Sequence, residues 1–236
     1  MTRLRIVAET GSTNADLLAD QSAAEGDWLI ALQQSSGKGR QGREWQSLEG
    51  NFAGSTLIRL RSGDPAPATL ALAAGLALIE AADAAAPGRA TQLKWPNDLM
   101  LDEAKLGGIL LERAGDRVVA GFGVNLATAP KIEGRATIGL NGGVTPQAFA
   151  PLLAASLARV LTAWRTAAPT AFVDAWQLRA HPIGVPMTVH SSPRERLSGT
   201  FDGLAPDGAL RLRLPEGRIE CIHAGDVALA KRAGER

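Results

Sequence analysis

Residues 69–86 are apolar almost all the way round, with Leu70, Leu72, Leu76, Leu78 and Ile79 set among alanines. A helix without a polar face cannot rest on a surface; it has to be enclosed, and its natural cover is a sheet. No uninterrupted apolar run approaches membrane-spanning length, so the helix is expected in a protein core and no membrane partner is expected.

Strands for that sheet are legible on both sides of it. Residues 3–8 alternate, 28–32 form an apolar run short enough for a buried strand, and 52–60 read as another. Residues 91–127 look like three strands joined by tight turns, with breaks at Pro96-Asn97-Asp98, Asp102-Glu103-Ala104 and Ala114-Gly115-Asp116. Thr145-Pro146 opens a helix whose apolar face runs through Phe149, Leu153, Val160, Leu161 and Trp164, and a shorter helix follows from Thr170. After Ala180-His181-Pro182 the texture changes to short β-like runs separated by Gly, Pro and Asp, enough for about five strands. A boundary near residue 182 therefore divides the chain into a larger unit, 1–182, and a small all-β unit, 183–236.

The 236 residues carry 25 Lys and Arg against 24 Asp and Glu, a net charge of +1, which excludes a broad basic surface for nucleic acid or membrane. The single cysteine, Cys221, excludes an internal disulfide, and the three histidines give no metal-ligand spacing. Met1-Thr2-Arg3-Leu4-Arg5 has no apolar signal core, so a reduced, cytoplasmic setting is expected.

Any basic patch must be local, and one stands out between Gln33 and Trp45. Gly37, Gly39 and Gly42 alternate with Lys38, Arg40 and Arg43, bare backbone interleaved with cations, as suits a loop that wraps an anion. The run also matches the dinucleotide pattern G-x-G-x-x-G, but residues 44–51 offer no helical stripe to follow it. Polar residues sit among apolar neighbours elsewhere: Lys94 between Leu93 and Trp95, Lys105 before Leu106-Gly107-Gly108-Ile109, and Asn125 between Val124 and Leu126. Two lysines and an amide on one meander, beside paired glycines that admit a ligand to the backbone, point to a site. Ser12 or Thr13, ahead of a helical pattern from Ala15, is a natural N-cap whose hydroxyl can also hold a polar ligand.

Ser12-Thr13-Asn14, the loop ending in Trp45, Lys94-Trp95-Pro96-Asn97-Asp98-Leu99, Lys105-Leu106-Gly107-Gly108-Ile109-Leu110 and Gly121-Phe122-Gly123-Val124-Asn125 together resemble biotin protein ligase, also called biotin–acetyl-CoA-carboxylase ligase. The resemblance covers nearly the whole chain. It implies an α+β catalytic domain, a mixed sheet with helices on one side like that of class II aminoacyl-tRNA synthetases, followed by a small SH3-like β-barrel. It also implies a two-step reaction, in which biotin and ATP give biotinyl-AMP and a lysine of a biotin carboxyl carrier domain, of acetyl-CoA carboxylase or another biotin-dependent carboxylase, then takes the biotinyl group. Mg²⁺ is expected with ATP, and a homodimer is common in the family.

By the same resemblance Lys94 and Arg40 would be catalytic, Lys94 touching both the biotin carboxyl and the α-phosphate. Ser12, Thr13, Asn14, Gln34, Lys38, Gly39, Gly107 and Gly108 would join them around biotin. Arg43, Trp45, Asn97, Lys105 and Asn125 would join Arg40 around ATP. Lys38 stands where the family usually has arginine, which keeps the charge and loses the bidentate fork. Some members carry an N-terminal DNA-binding domain; here the pattern starts within a dozen residues of Met1, so no DNA partner is expected. A lipoate or octanoate ligase would share Lys94, and a non-catalytic biotin-binding relative would share the pocket. A Gly-rich-loop kinase lacks its His-Arg-Asp and Asp-Phe-Gly segments here.

Overall fold

The structure, a computed structural model, describes residues 3–192 and 195–229. Met1, Thr2 and the end of the unit expected to run to residue 236 lie outside the described residues. Strands β1 (Leu4–Thr10), β2 (Trp28–Gln34), β3 (Phe52–Arg59), β4 (Thr91–Lys94), β5 (Asp98–Leu101), β6 (Ala104–Ala114) and β7 (Arg117–Val124) form one sheet in the order β1-β2-β3-β7-β6-β5-β4. β1 and β2 run parallel, joined through helix α1 (Thr13–Ala19), and the other neighbours are antiparallel. The sheet is mixed, as expected.

The meander holds four strands rather than three. Each of its three breaks separates two strands, and the shortest, β4 and β5, are too brief to show periodicity in the sequence. Asp102 and Glu103 both take left-handed conformations, with φ of 48° and 61°, and make the two-residue turn that suits a tight hairpin.

Helices α2 (Leu70–Ala85) and α3 (Pro146–Thr166) cover one face of this sheet, where Ile30, Phe52, Ile58, Phe122 and Val124 share a core with Leu72, Leu78, Leu153 and Trp164. Phe52 meets Phe149 edge-on with ring centroids 5.2 Å apart, and Trp28 stacks on Phe122 at 5.6 Å. By length and composition Pro67–Ala85, which includes α2, is the one described helix able to cross a membrane; here it is mostly buried in the core. α3 starts as expected, with Thr145 as N-cap and Pro146 at the first turn. α4 (Pro169–Gln177) begins one residue before the expected start and buries Phe172 and Trp176.

α1 departs from the expected one-sided arrangement. Strand alternation sends Leu29, Leu57 and Val119 to the opposite face, where they pack with Leu17 and Ala23 of the α1 segment. A helix of 7 residues covers only part of that face. The rest of it is left for the site.

The C-terminal strands β8 (Pro186–Ser192), β9 (Glu195–Leu204), β10 (Leu210–Arg213), β11 (Ile219–Ile222) and β12 (Asp226–Leu229) form a second, antiparallel sheet in the order β11-β10-β9-β8-β12. β11 and β12 are its edges, and among the described residues no ladder closes it into a barrel. Trp95 reaches this sheet, its Nε1 donating to the Gly208 carbonyl at 3.0 Å.

Candidate active site

Directly opposed residues on neighbouring strands project to the same side of a sheet. Lys94 lies opposite Asp98, Asp98 opposite Gly108, Gly108 opposite Gly123, and Gly123 opposite Ala53. One line across the sheet thus carries a cation, a carboxylate and a floor of small residues. A neighbouring line on the same face runs Leu110, Gly121, Ser55, Leu29 and passes beneath α1. The glycines are required by what lies on them: a Cβ at Gly123 would come within 2.3 Å of the Trp45 indole, and one at Gly121 within 2.1 Å of Asn14 Oδ1. Above this floor is a cleft of about 470 Å³.

The glycine loop forms one wall and is itself folded. Lys38 and Glu44 pair backbone to backbone in an antiparallel β-bridge, the Gly39 N–H donates to the Arg43 carbonyl at 2.7 Å, and the Trp45 N–H donates to the Gly37 carbonyl at 2.9 Å. The result is a small hairpin with a single 3₁₀ turn, Arg40–Gly42, at its tip, and no helix follows Gly42. The dinucleotide pattern is therefore not realised. Arg40 Nη1 donates to Asn97 Oδ1 at 3.3 Å and to the Gly225 carbonyl at 3.1 Å, while Arg43 Nη2 pairs with Asp226 Oδ1 at 2.9 Å. Both loop arginines are thus held by the start of β12.

At the other end α1 presents its first residues. Ser12 is the N-cap, its hydroxyl accepting from the Ala15 N–H at 3.4 Å, and the buried Thr13 N–H donates to Gln34 Oε1 at 2.8 Å. Between the ends stand Lys94 and Lys105. Lys105 Nζ pairs with Asp98 Oδ1 at 2.5 Å and lies 5.9 Å from the centre of the Trp45 ring, within cation–π range. Asn125 is 2% exposed; its Nδ2 donates to the Ile138 carbonyl at 3.2 Å, and its Oδ1 is buried without a partner, an acceptor suited to a ligand donor.

Burial holds both lysines below the ordinary lysine pKa, with Asp98 opposing the shift and Arg135 adding to it. The unfolded chain accordingly keeps these protons to a higher pH than the folded one, and between the two values stability rises with pH. The cleft's hold on an anion weakens over the same window. Lys94→Met is expected to melt above the wild type at neutral pH, with the gap closing as pH rises through that window, as differential scanning calorimetry would show.

The cleft gathers Ser12, Thr13, Asn14, Gln34, Lys38, Gly39, Arg40, Arg43, Trp45, Lys94, Asn97, Lys105, Gly108 and Asn125. Gly107 does not border it: strand alternation turns that position away, and a Cβ there would meet the Gly123 carbonyl at 2.8 Å. The structure adds Asp98, Arg135, Asp226, Gly121 and Gly123 to the lining. The two glycines stood in a quoted motif; Arg135 and Asp226 gave no signal, since a lone charge beside a glycine reads as a turn.

The cleft thus brings together a cationic centre, an aromatic side chain and a polar pocket. The model of the Biotin/lipoate A/B protein ligase family matches residues 5–127, and that of the Biotin protein ligase C terminal domain matches 183–229. The biotin–acetyl-CoA-carboxylase ligase of Paracoccus denitrificans is 38% identical over 238 residues, covering 94% of this chain and 98% of its own length. The ligase of the same name from Mycobacterium tuberculosis is 36% identical, covering 95% and 88%. The biotin protein ligase of Aquifex aeolicus, solved in complex with biotin and ATP, superposes with a TM-score of 0.85 at 24% identity, covering 98% of this chain and all of that one, and so shares the fold. The chain belongs to the biotin/lipoate A/B protein ligase family.

Proposed function

We propose that this chain is a biotin protein ligase. A biotin carboxylate oxygen attacks the α-phosphorus of ATP, the bond to the β-phosphate oxygen breaks, and pyrophosphate leaves. The neutral amine of a carrier lysine then attacks the acyl carbon of biotinyl-AMP, the bond to the phosphate oxygen breaks, AMP leaves, and the amine loses its proton. The single observation that carries this reading is the line Lys94, Asp98, Gly108, Gly123, which sets a half-buried ammonium beside a glycine floor between a polar pocket and an aromatic seat.

Lys94 is assigned to the point where the carboxylate and the α-phosphate meet, because a preplaced cation in a partly dehydrated site stabilises charge as it develops. Ser12, Thr13, Asn14 and Gln34 take the biotin ring, with Lys38, Gly39 and Gly108 around its chain. Trp45 stacks on adenine, Asn97, Asn125 and Arg43 meet polar edges of the nucleotide, and Lys105 with Arg135 faces its phosphates. Asp98, Asp226, Glu44 and Glu133 line the cleft, the first two each paired with a cation, and no group of three candidate metal ligands forms among the described residues. Mg²⁺ would therefore be held by phosphates and water.

Arg40 is assigned to the adenylate, and its present bonds to Gly225 and Asn97, with Asp226 Oδ1 3.8 Å away, mark the position it leaves. We place the division between catalytic and C-terminal units at residue 182, so the loop is tethered from the second unit. Asp226→Ala should loosen that tether: AMP formed per biotin transferred rises severalfold, because unprotected biotinyl-AMP hydrolyses. Quantifying AMP against labelled carrier checks it. The acceptor is assigned to a biotin carboxyl carrier domain.

Biotin-dependent exchange of labelled pyrophosphate into ATP tests the adenylation half of the reading, and transfer of labelled biotin to a carrier domain tests the other. Exchange driven by lipoate or octanoate instead would keep the chemistry and overturn the substrate. Biotin binding without exchange would overturn the enzyme.

A further inference from the structure

Beneath α1 runs a chain of polar side chains, two of which, Ser55 and Glu112, do not border the cleft. Thr13, Asn14 and Ser55 are 3%, 5% and 0% exposed. Polar groups this deep on a sheet face destabilise the fold unless each is bonded, and these are bonded to one another in a definite direction.

The direction is set at Glu112. Asn14 Nδ2 donates to Glu112 Oε2 at 2.8 Å and to the Leu110 carbonyl at 3.3 Å. A carboxylate and a carbonyl only accept, so the Asn14 amide cannot be turned over, and its Oδ1 must face Ser55, whose hydroxyl donates to it at 2.6 Å. The serine proton is then used. Its contact with Thr13 Oγ1, at 2.7 Å, has to run from threonine to serine. The other bond open to the threonine hydroxyl, to Gln34 Oε1, is longer at 3.0 Å, and that oxygen already accepts from the Thr13 N–H at 2.8 Å. Gln34 is fixed in turn, with Nε2 directed toward the loop at Gly37. What reaches the cleft is a threonine oxygen with only lone pairs to offer, beside an amide with only N–H to offer.

We propose that Ser55 and Glu112 are positioning residues that fix this polarity. They thereby select an acid whose ring sets an N–H donor next to a carbonyl acceptor, as a cyclic urea does, over an aliphatic or dithiolane acid. The inference rests on the biotin reading above. Without Ser55 the threonine proton is free to turn toward the ligand and oppose its N–H; without Glu112 the Asn14 amide keeps only the longer bond to the Leu110 carbonyl, and a flip that reverses the chain becomes accessible.

The test is calorimetric titration of the full chain with biotin and, separately, with ATP. Ser55→Ala and Glu112→Ala are expected to weaken biotin binding about tenfold and leave ATP binding unchanged, the size of a misdirected buried hydrogen bond. Glu112→Gln should restore the wild-type value, because its carbonyl still accepts from Asn14. In a Thr13→Val background Ser55→Ala should have no additional effect, since the serine acts through the threonine. Equal losses for both ligands, no loss for biotin, or full additivity in that background would overturn the proposal. Should Ser55→Ala fail to fold, Glu112→Ala, at the half-buried end of the chain, carries the same test. A wild type that binds ATP and not biotin would instead overturn the reading beneath it.

Discussion

Lys94→Ala is expected to lower biotin-dependent pyrophosphate exchange by about a hundred- to a thousandfold, the usual consequence of removing one preplaced group that meets developing charge. The effect should fall on turnover more than on binding. In the proposed arrangement Thr13 and Gln34 hold biotin's ring and Trp45 the nucleotide, whereas Lys94 is assigned to the point where the two reacting anions meet. The fold should survive, because this ammonium is disfavoured by burial and its removal takes away a cost rather than a support. A variant that melts normally, binds both substrates and does not exchange is the expected result. One that exchanges at the wild-type rate would remove Lys94 from the chemistry and leave Lys105 or Arg135 as the cation to examine.

Two glycines should separate the two substrates. In Gly123→Ala the new methyl group would sit 2.3 Å from the indole ring, so Trp45 must lift off the floor. Base stacking on an aromatic ring is worth about 1–3 kcal/mol, and KM for ATP should rise about tenfold or more while biotin binding changes little. In Gly121→Ala the methyl group would meet Asn14 Oδ1 at 2.1 Å and displace the residue that orients Ser55, so the loss should fall on biotin. Paired titrations read this directly. The same substrate affected by both changes would contradict the division of the cleft into two ends.

Much of this was legible in the sequence, because it depended on local pattern. A helix apolar all round had to be enclosed, Ser12 had the chemistry of a cap, and Lys94, Lys105 and Asn125 were conspicuous among apolar neighbours. What escaped depended on register. Ser55 is an ordinary strand residue until β3 is placed beside β7, and Glu112 meets Asn14 across 98 positions of chain. Asp226 looks like a turn residue until the second sheet brings it to Arg43. The side of the sheet on which α1 lies was equally hidden, since an amphipathic pattern says that a helix has a buried face and not which layer buries it.

The glycine floor has a further consequence, for how such a protein can change. Trp45, Asn14 and Lys105 lie directly on the backbone of Gly123, Gly121 and Gly108, so the floor has no side chain to exchange, and any that is added displaces one of them. New acids or nucleotides have to be accommodated from the rim, at the start of α1 and in the hairpin from Gly37 to Trp45. A directed-evolution library confined to those two segments should hold nearly all the altered specificities that this scaffold can reach, and one aimed at β6 and β7 mostly inactive chains.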